Sequence, residues 1–228
     1  MPPGAATRSG LLYGVYSGGD DLFIVGAWDR IPLLARRIRE DLRAFAAGNQ
    51  AVRISAGIAL VDSHLPLYQS AGLAKEALDE RAKKHQRGDG PGKDAVSLLG
   101  ETMGWEEVES VRLQVAELAR LLGWGIERGQ LPRSLLSLLS ALHDTYRRET
   151  VGQAANEPGA PERLYYGRWM WMAAYGLGRA RERAKDEEAK AALAALQKRL
   201  AEPAGIHRLG LTARWAELLT RSMEVDRR

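Results

Sequence analysis

A chain of 228 residues, 45% of them hydrophobic, holds enough apolar material for one large packed domain or two modest ones, and its formal charge of +4 suits an anionic partner without demanding one. The absence of cysteine excludes disulfides, thiol catalysis and cysteine-based zinc sites. No apolar run approaches the roughly 20 residues that span a bilayer, and MPPGAATRSG lacks the apolar centre of a secretion signal, so no membrane attachment and a cytoplasmic location are expected.

In chain order, residues 1–10 read as a loose N-terminus. Residues 11–16 and 22–28 are short runs rich in Leu, Val, Ile, Tyr, Phe and Trp, split by SGGDD, and together predict a hairpin of two buried strands in which Gly18 and Gly19 accept positive φ. Asp29 is placed to cap a helix with Pro32 in its first turn. Ile31, Leu34, Ala35, Ile38, Leu42 and Phe45 recur on one face of it, and Gly48 ends it. VRISAGIALVD, 52–62, combines β-branched residues with a central glycine and predicts a buried strand.

A second helix follows from about Pro66 to Lys84, with Leu67, Ala71, Ala74, Ala77 or Leu78, and Ala82 as a small-residue stripe suited to a sheet. QRGDGPG, 86–92, is a turn cluster, and AVSLL, 95–99, one more strand. From Trp105 the period is helical. Val108, Val111, Val115, Leu118 and Leu122 form one stripe, and Leu135, Leu138, Leu139, Leu142 and Tyr146 another. A loop around 152–161 precedes a helix carrying LYYGRWMWMAAYGLG, and segments 186–201 and 206–224 supply two more, bounded by Pro203 and Gly205. The fold class expected is α+β: a partial ferredoxin-like palm of the nucleotidyl-cyclase type over 11–100, then an all-α helical domain over 101–228.

The chemistry sits in SGGDD. Adjacent aspartates at a hairpin tip are often only solvated turn residues. Held by flanking strands, however, two ionised carboxylates repel each other, and a divalent cation beside them turns that repulsion into attraction. Mg²⁺ prefers hard oxygen ligands, keeps several waters and is commonly completed by substrate phosphates, so two aspartates suffice for part of a site. Glycine without a side chain lets a polyphosphate approach the backbone closely.

GVYSGGDDLFIVGAW, then VRISAGIALVDSHLPLYQSAGLAKEALDERAKKH, then KDAVSLLGETMGWEEV resemble the C-terminal palm of the large polymerase-like subunit of type III CRISPR-Cas effector complexes, the Csm type above all. YSGGDD, the SAGIAL strand, a helix ending in AK and a K-D-x-V strand leading to a Trp-containing segment occur in the family's order, and the tail resembles its C-terminal helical domain. The resemblance implies synthesis of cyclic oligoadenylates from ATP with Mg²⁺ (or Mn²⁺), switched on when the complex of guide RNA and partner subunits binds target RNA. It assigns Asp20 and Asp21 to metal and catalysis. Ser17, Gly18 and Gly19 would shape the phosphate approach, Ser55 would contact nucleotide, and Lys83 and Lys93 would meet triphosphate charge. Lysines 83, 84 and 93 are equally readable as solvated surface groups. The family's palm begins with a further strand and helices before YSGGDD, so the chain resembles a C-terminal fragment or one half of a split subunit, expected to have little activity without the remainder.

Two rivals stand beside this reading: a non-catalytic scaffold that docks through its helices, and a GGDEF-type diguanylate cyclase, against which GGDD and the long helical tail argue. His143-Asp144 spells an HD pair, yet it lies on a leucine-rich helix without convergent ligands and reads as structural. Tyr165, Tyr166, Trp169, Trp171 and Tyr175, interleaved with Arg163, Arg168 and Arg179, suit base stacking on RNA, although helical spacing makes core or subunit interface the commoner outcome. No Walker loop or dinucleotide fingerprint occurs.

Overall fold

The structure, a computed structural model, describes residues 12–85, 93–123, 130–156, 167–201 and 203–225. The chain divides into two compact units, Met1–Ser110 and Val111–Arg228.

In the first unit, β1 (Leu12–Gly18) and β2 (Asp21–Gly26) form an antiparallel hairpin with a bulge between Gly14 and Tyr16. Helix α1 (Ile31–Phe45) follows, then β3 (Ala56–Ile58), α2 (Leu67–Glu76) running into a π-helical turn (Ala77–Ala82), β4 (Ala95–Leu98) and β5 (Glu101–Gly104). β3 pairs in parallel with β4, which needs the crossover that α2 provides, and β4 pairs antiparallel with β5. Leu99 and Gly100, both at positive φ, make the two-residue turn between β4 and β5, the backbone of a type I′ hairpin. Ala82, Ala95, Val96, Leu98, Met103 and Trp105 are the buried centre. The indole Nε1 of Trp105 donates to the Ile54 carbonyl at 2.8 Å, which fastens the entry to β3. Arg39 pairs with Asp94 at 3.1 Å, and Arg36 with Glu109.

Several expectations are corrected here. The hairpin strands are exposed, with Tyr13, Tyr16, Leu22 and Val25 open to solvent, because β1 and β2 hydrogen-bond only to each other and form a two-stranded sheet apart from β3-β4-β5. The strand expected over 52–62 is regular only at Ala56–Ile58. The N-cap of α1 is Arg30, without a capping side chain, while Asp29 pairs with Arg30; Phe45 projects into solvent, 91% exposed. Gly48 does close the helix, at φ +75, with its N–H on the Arg43 carbonyl.

Helix α3 (Trp105–Leu121) starts with the Glu107 carboxylate accepting from the Gly104 N–H at 3.1 Å, half of a capping box. The second unit also holds α4 (Ser134–Asn156), α5 (Arg168–Arg183), α6 (Glu187–Leu200), α7 (Pro203–His207) and α8 (Leu209–Val225). Of the stripes read from the sequence, Val111, Val115, Leu118, Leu122, Leu135, Leu139 and Leu142 are buried in its core, where Leu177 and Leu193 join them. Asp186 caps α6 by accepting from the Glu188 N–H, acids fill its first turn and bases its last, as the helix dipole favours. Pro203 and Gly205, expected to bound helices, lie within the short α7. Trp169, 1% exposed, meets Tyr146 edge to face at 5.8 Å, and Tyr146 meets His207 at 5.2 Å. We expect Trp169→Ala to destabilise this unit by about 3–5 kcal/mol, seen as a lowered midpoint in urea unfolding.

His143 is buried and Asp144, its neighbour, is exposed, so the two side chains of the HD pair face different surroundings; a Cβ added at Gly210 would strike the His143 ring. The aromatic cluster is divided: Trp169 is core, Trp171 and Tyr175 are exposed, and Arg163, Tyr165 and Tyr166 lie outside the described residues.

Candidate metal and nucleotide site at the hairpin tip

The register pairs Gly18 with Asp21, which leaves Gly19 and Asp20 as a two-residue turn. Gly19 has φ +61 and Asp20 does not share the positive sign, the pattern of a type II′ turn with glycine first. Gly18, by contrast, needs no positive φ; a Cβ there would meet the Tyr16 hydroxyl at 2.8 Å, which a mobile exposed ring can relieve. Gly19→Ala keeps open space around the new methyl but places an L-residue in the left-handed region, at a cost of about 1–2 kcal/mol. We expect it to loosen the turn, measured as faster amide hydrogen exchange across β1 and β2, with Gly18→Ala as the near-silent control.

Asp20 and Asp21 stand side by side at this tip, both exposed. Neither carboxylate has a hydrogen-bond or ion-pair partner among the described residues, so all their oxygens are available to a hard cation. Among the same residues no group of three or more His, Cys, Asp and Glu converges. The donor set therefore fits a Mg²⁺ that keeps waters and phosphate oxygens in its shell, and falls short of an all-protein cage.

Lys83 comes from the far end of α2. Its ammonium donates to Asp79 Oδ1 at 2.8 Å. This bond holds its pKa above the ordinary lysine value, and the charges of Asp79, Asp21 and Asp20 add to the rise. The field of the Asp20-Asp21 pair is thus felt at Lys83, which the sequence alone separates from it by the whole of α1, β3 and α2. Asp79 is held below the usual carboxylate range, first of all by the same hydrogen bond. The lowered carboxyl loses its contribution only as pH falls through the Asp79 value, and the raised ammonium only as pH rises through the Lys83 value, so the pair is intact throughout the neutral range.

The π-helical turn, seated on Gly57, carries Lys83 at its end. The Lys83 N–H reaches five residues back to the Leu78 carbonyl at 2.8 Å, the mark of one inserted residue in the helix. Gly57 in β3 lies so close beneath that a Cβ would collide with the Ala74 carbonyl oxygen and the Leu78 nitrogen, and would sit 2.8 Å from Leu78 Cα. Sequence reasoning missed Asp79 and the role of Gly57; an i,i+4 Asp-Lys pair and a glycine inside a strand were the available signals.

The other candidates differ. Ser17 lies opposite Leu22 at the end of β1, exposed. Ser55 precedes β3 with its Oγ buried and without a hydrogen-bond partner among the described residues. Lys93 is exposed at φ +83, with no hydrogen bond or ion pair among the described residues. Lys84 is taken by Glu80.

Comparison with known proteins bears on this site. Residues 5–96 match the model of the Cas10/Cmr2 second palm domain, a span that contains the hairpin, Gly57 and Lys83. Residues 5–96 belong to the Cas10/Cmr2 second-palm family. The chain is also similar to proteins named CRISPR system single-strand-specific deoxyribonuclease Cas10/Csm1 of subtype III-A. The relative from Mycobacterium tuberculosis is 33% identical over 137 residues, covering 57% of this chain and 16% of that protein. The relative from Methanocaldococcus jannaschii is 36% identical over 107 residues, 43% of this chain and 13% of that protein. That from Thermococcus onnurineus is 45% identical over 65 residues, 28% of this chain and 8% of that protein. The chain thus spans less than a fifth of these relatives, and the M. tuberculosis alignment covers more of it than the palm unit holds. No described helix is long and apolar enough to cross a membrane.

Proposed function

We propose that this chain is a working part of the large subunit of a type III-A CRISPR effector complex, contributing a second palm that joins ATP molecules into cyclic oligoadenylates when the complex has bound target RNA. The observation that carries the reading is the Asp20-Asp21 pair on a glycine turn, unpartnered among the described residues and contributing to the raised pKa of Lys83, in a region that matches the second-palm family.

In this reaction a ribose hydroxyl of one nucleotide forms a bond to the α-phosphorus of another and pyrophosphate leaves. Asp20 and Asp21 would hold Mg²⁺, which when bound supplies charge stabilisation for the oxygens entering and leaving phosphorus. Lys83 would offset triphosphate charge from the side opposite the carboxylates in sign, while Asp79 keeps its long chain in one place. Gly19, with nothing within 4 Å of where a Cβ would stand, leaves the backbone open to phosphate, and Ser17 closes the end of β1 beside it. Ser55 and Lys93 are proposed nucleotide contacts on the resemblance alone.

The exposed apolar residues of β1 and β2 support the further proposal that the palm is completed by additional secondary structure of the subunit, and that the chain by itself turns over little. The test is reconstitution of the chain with the remainder of a subtype III-A subunit, guide RNA and target RNA, followed by separation of ATP-derived products. Cyclic oligoadenylates that require target RNA are expected; a complex that assembles and cleaves or binds target RNA yet makes none overturns the proposal.

A further inference from the structure

Helix α5 is two-sided. Trp169, Ala173 and Leu177 are buried, which turns the opposite face outward. On that outward face Trp171 is 80% exposed and Tyr175 70% exposed. They are one helical turn apart, about 6 Å along the axis. Arg168 precedes them, Arg179 follows with its guanidinium carbon 5.8 Å from the Tyr175 ring centroid, and Arg183 comes one further turn on. None of the three arginines has a hydrogen bond or an ion pair among the described residues. Among the described residues of the helix, Glu182 is the one carboxylate on the face.

Two features decide what this face fits. Its charge is positive, three guanidiniums against one carboxylate, which calls for an anionic occupant. Its apolar surface consists of two separate rings, with exposed Ala174 at the margin and Met172 half-buried, and among the described residues of the face no larger exposed aliphatic side chain joins them into one apolar patch. Flat rings one turn apart, with cations before and after them, match bases and phosphates alternating along an extended strand.

We propose that the Arg168-Trp171-Tyr175-Arg179-Arg183 face of α5 binds single-stranded nucleic acid, the two rings stacking on successive bases and the arginines meeting phosphates. The binding is tolerant of sequence, since every base presents a π face, and of sugar, since stacking does not read the 2′-hydroxyl. It is independent of the carboxylate site, because no residue is shared.

The test is fluorescence anisotropy of the full chain with a labelled oligouridylate of about 12 nucleotides, within the usual site sizes for such surfaces. Affinity is expected to fall at least tenfold in the Trp171→Ala, Tyr175→Ala variant and to be largely restored by Trp171→Phe, Tyr175→Phe. Changing Arg168, Arg179 and Arg183 to Gln is expected to lower the slope of log affinity against log salt by about 2, roughly 0.7 for each lost phosphate contact on a single strand. All of these residues are exposed, so the variants keep the fold, which circular dichroism checks. Oligothymidylate is expected to bind equally. No binding of either oligomer at low salt, or binding that the ring-deleted variant retains in full, overturns the proposal. If neither oligomer binds and the same variants instead lose association with a purified partner subunit, the face is a protein-docking surface and the proposal is likewise overturned.

Discussion

Replacing Asp20 and Asp21 together by asparagine is expected to reduce oligoadenylate synthesis by the assembled subunit by roughly a hundredfold or more, the scale on which removing a preorganised charge from a reacting phosphoryl or acyl centre is felt. The fold should not register the change. Both side chains are exposed and unpartnered among the described residues, and surface substitutions of that kind stay within about 0.5 kcal/mol. Relief of repulsion between the two carboxylates acts in the stabilising direction. Synthesis assays beside urea unfolding therefore separate the site from the scaffold: lost synthesis with an unchanged unfolding midpoint is the expected pair of results. Lost synthesis with lost stability would mean that the aspartates serve the hairpin, not a cation.

Gly57→Ala is expected to have the largest effect on the first unit. The added methyl would meet the Ala74 carbonyl, the Leu78 nitrogen and Leu78 Cα, all backbone, so no side chain can swing aside. Overpacking of this kind costs about 1–3 kcal/mol and sometimes more. β3 has three residues in its ladder, a short anchorage against such a push. The π-helical turn would be lifted from the sheet and Lys83 carried with it. Unfolding of the first unit should come at a lower urea concentration, with hydrogen exchange accelerating across β3 and 74–82, and Mg²⁺-dependent nucleotide binding should weaken in step. Gly72→Ala, in the same helix with nothing within 4 Å of the new Cβ, is the control; there the gain in helix propensity should stabilise by about 0.5–1 kcal/mol.

The contrast between these two glycines shows what was legible in the sequence. Composition marks both as small, but only the packing of α2 on β3 distinguishes the one that cannot change. The hairpin and the helices were readable because their signals are local: SGGDD between two apolar runs, and leucines at helical spacing from Leu118 to Leu142. Positive φ was expected to be open to both glycines of the turn; Gly19 takes it, while Gly18 does not and has only the Tyr16 ring beside it. β5 was missed because Glu101–Gly104 carries one β-branched residue and no alternation; its pairing with β4 supplies the order that its sequence does not. The π-helical turn leaves no trace in a pattern of period 3.6, since the inserted residue is an ordinary one. Phe45 fits the apolar stripe of α1 by spacing, yet the helix ends there and nothing described covers it. On α5, interleaved aromatics concealed two roles, and only burial separates Trp169, which holds the core, from Trp171 and Tyr175, which face water.

Within the candidate site the same division holds. The two aspartates stand out in six residues of sequence as candidates only, because adjacent carboxylates at a glycine turn are often merely solvated; it is the resemblance that assigns them to a cation. Asp79 does not stand out, since its meaning lies in a hydrogen bond to Lys83 and in the shared field of Asp20 and Asp21.

The most direct test of the account is calorimetric titration of a non-reacting ATP analogue into the chain, with and without Mg²⁺, beside the Asp20→Asn, Asp21→Asn variant. The account predicts binding that requires Mg²⁺, disappears in the variant and weakens in Lys83→Met. Binding that is indifferent to Mg²⁺ and unchanged in both variants would contradict it, as would no binding by the chain either alone or after assembly with the rest of the subunit; the scaffold reading would then stand.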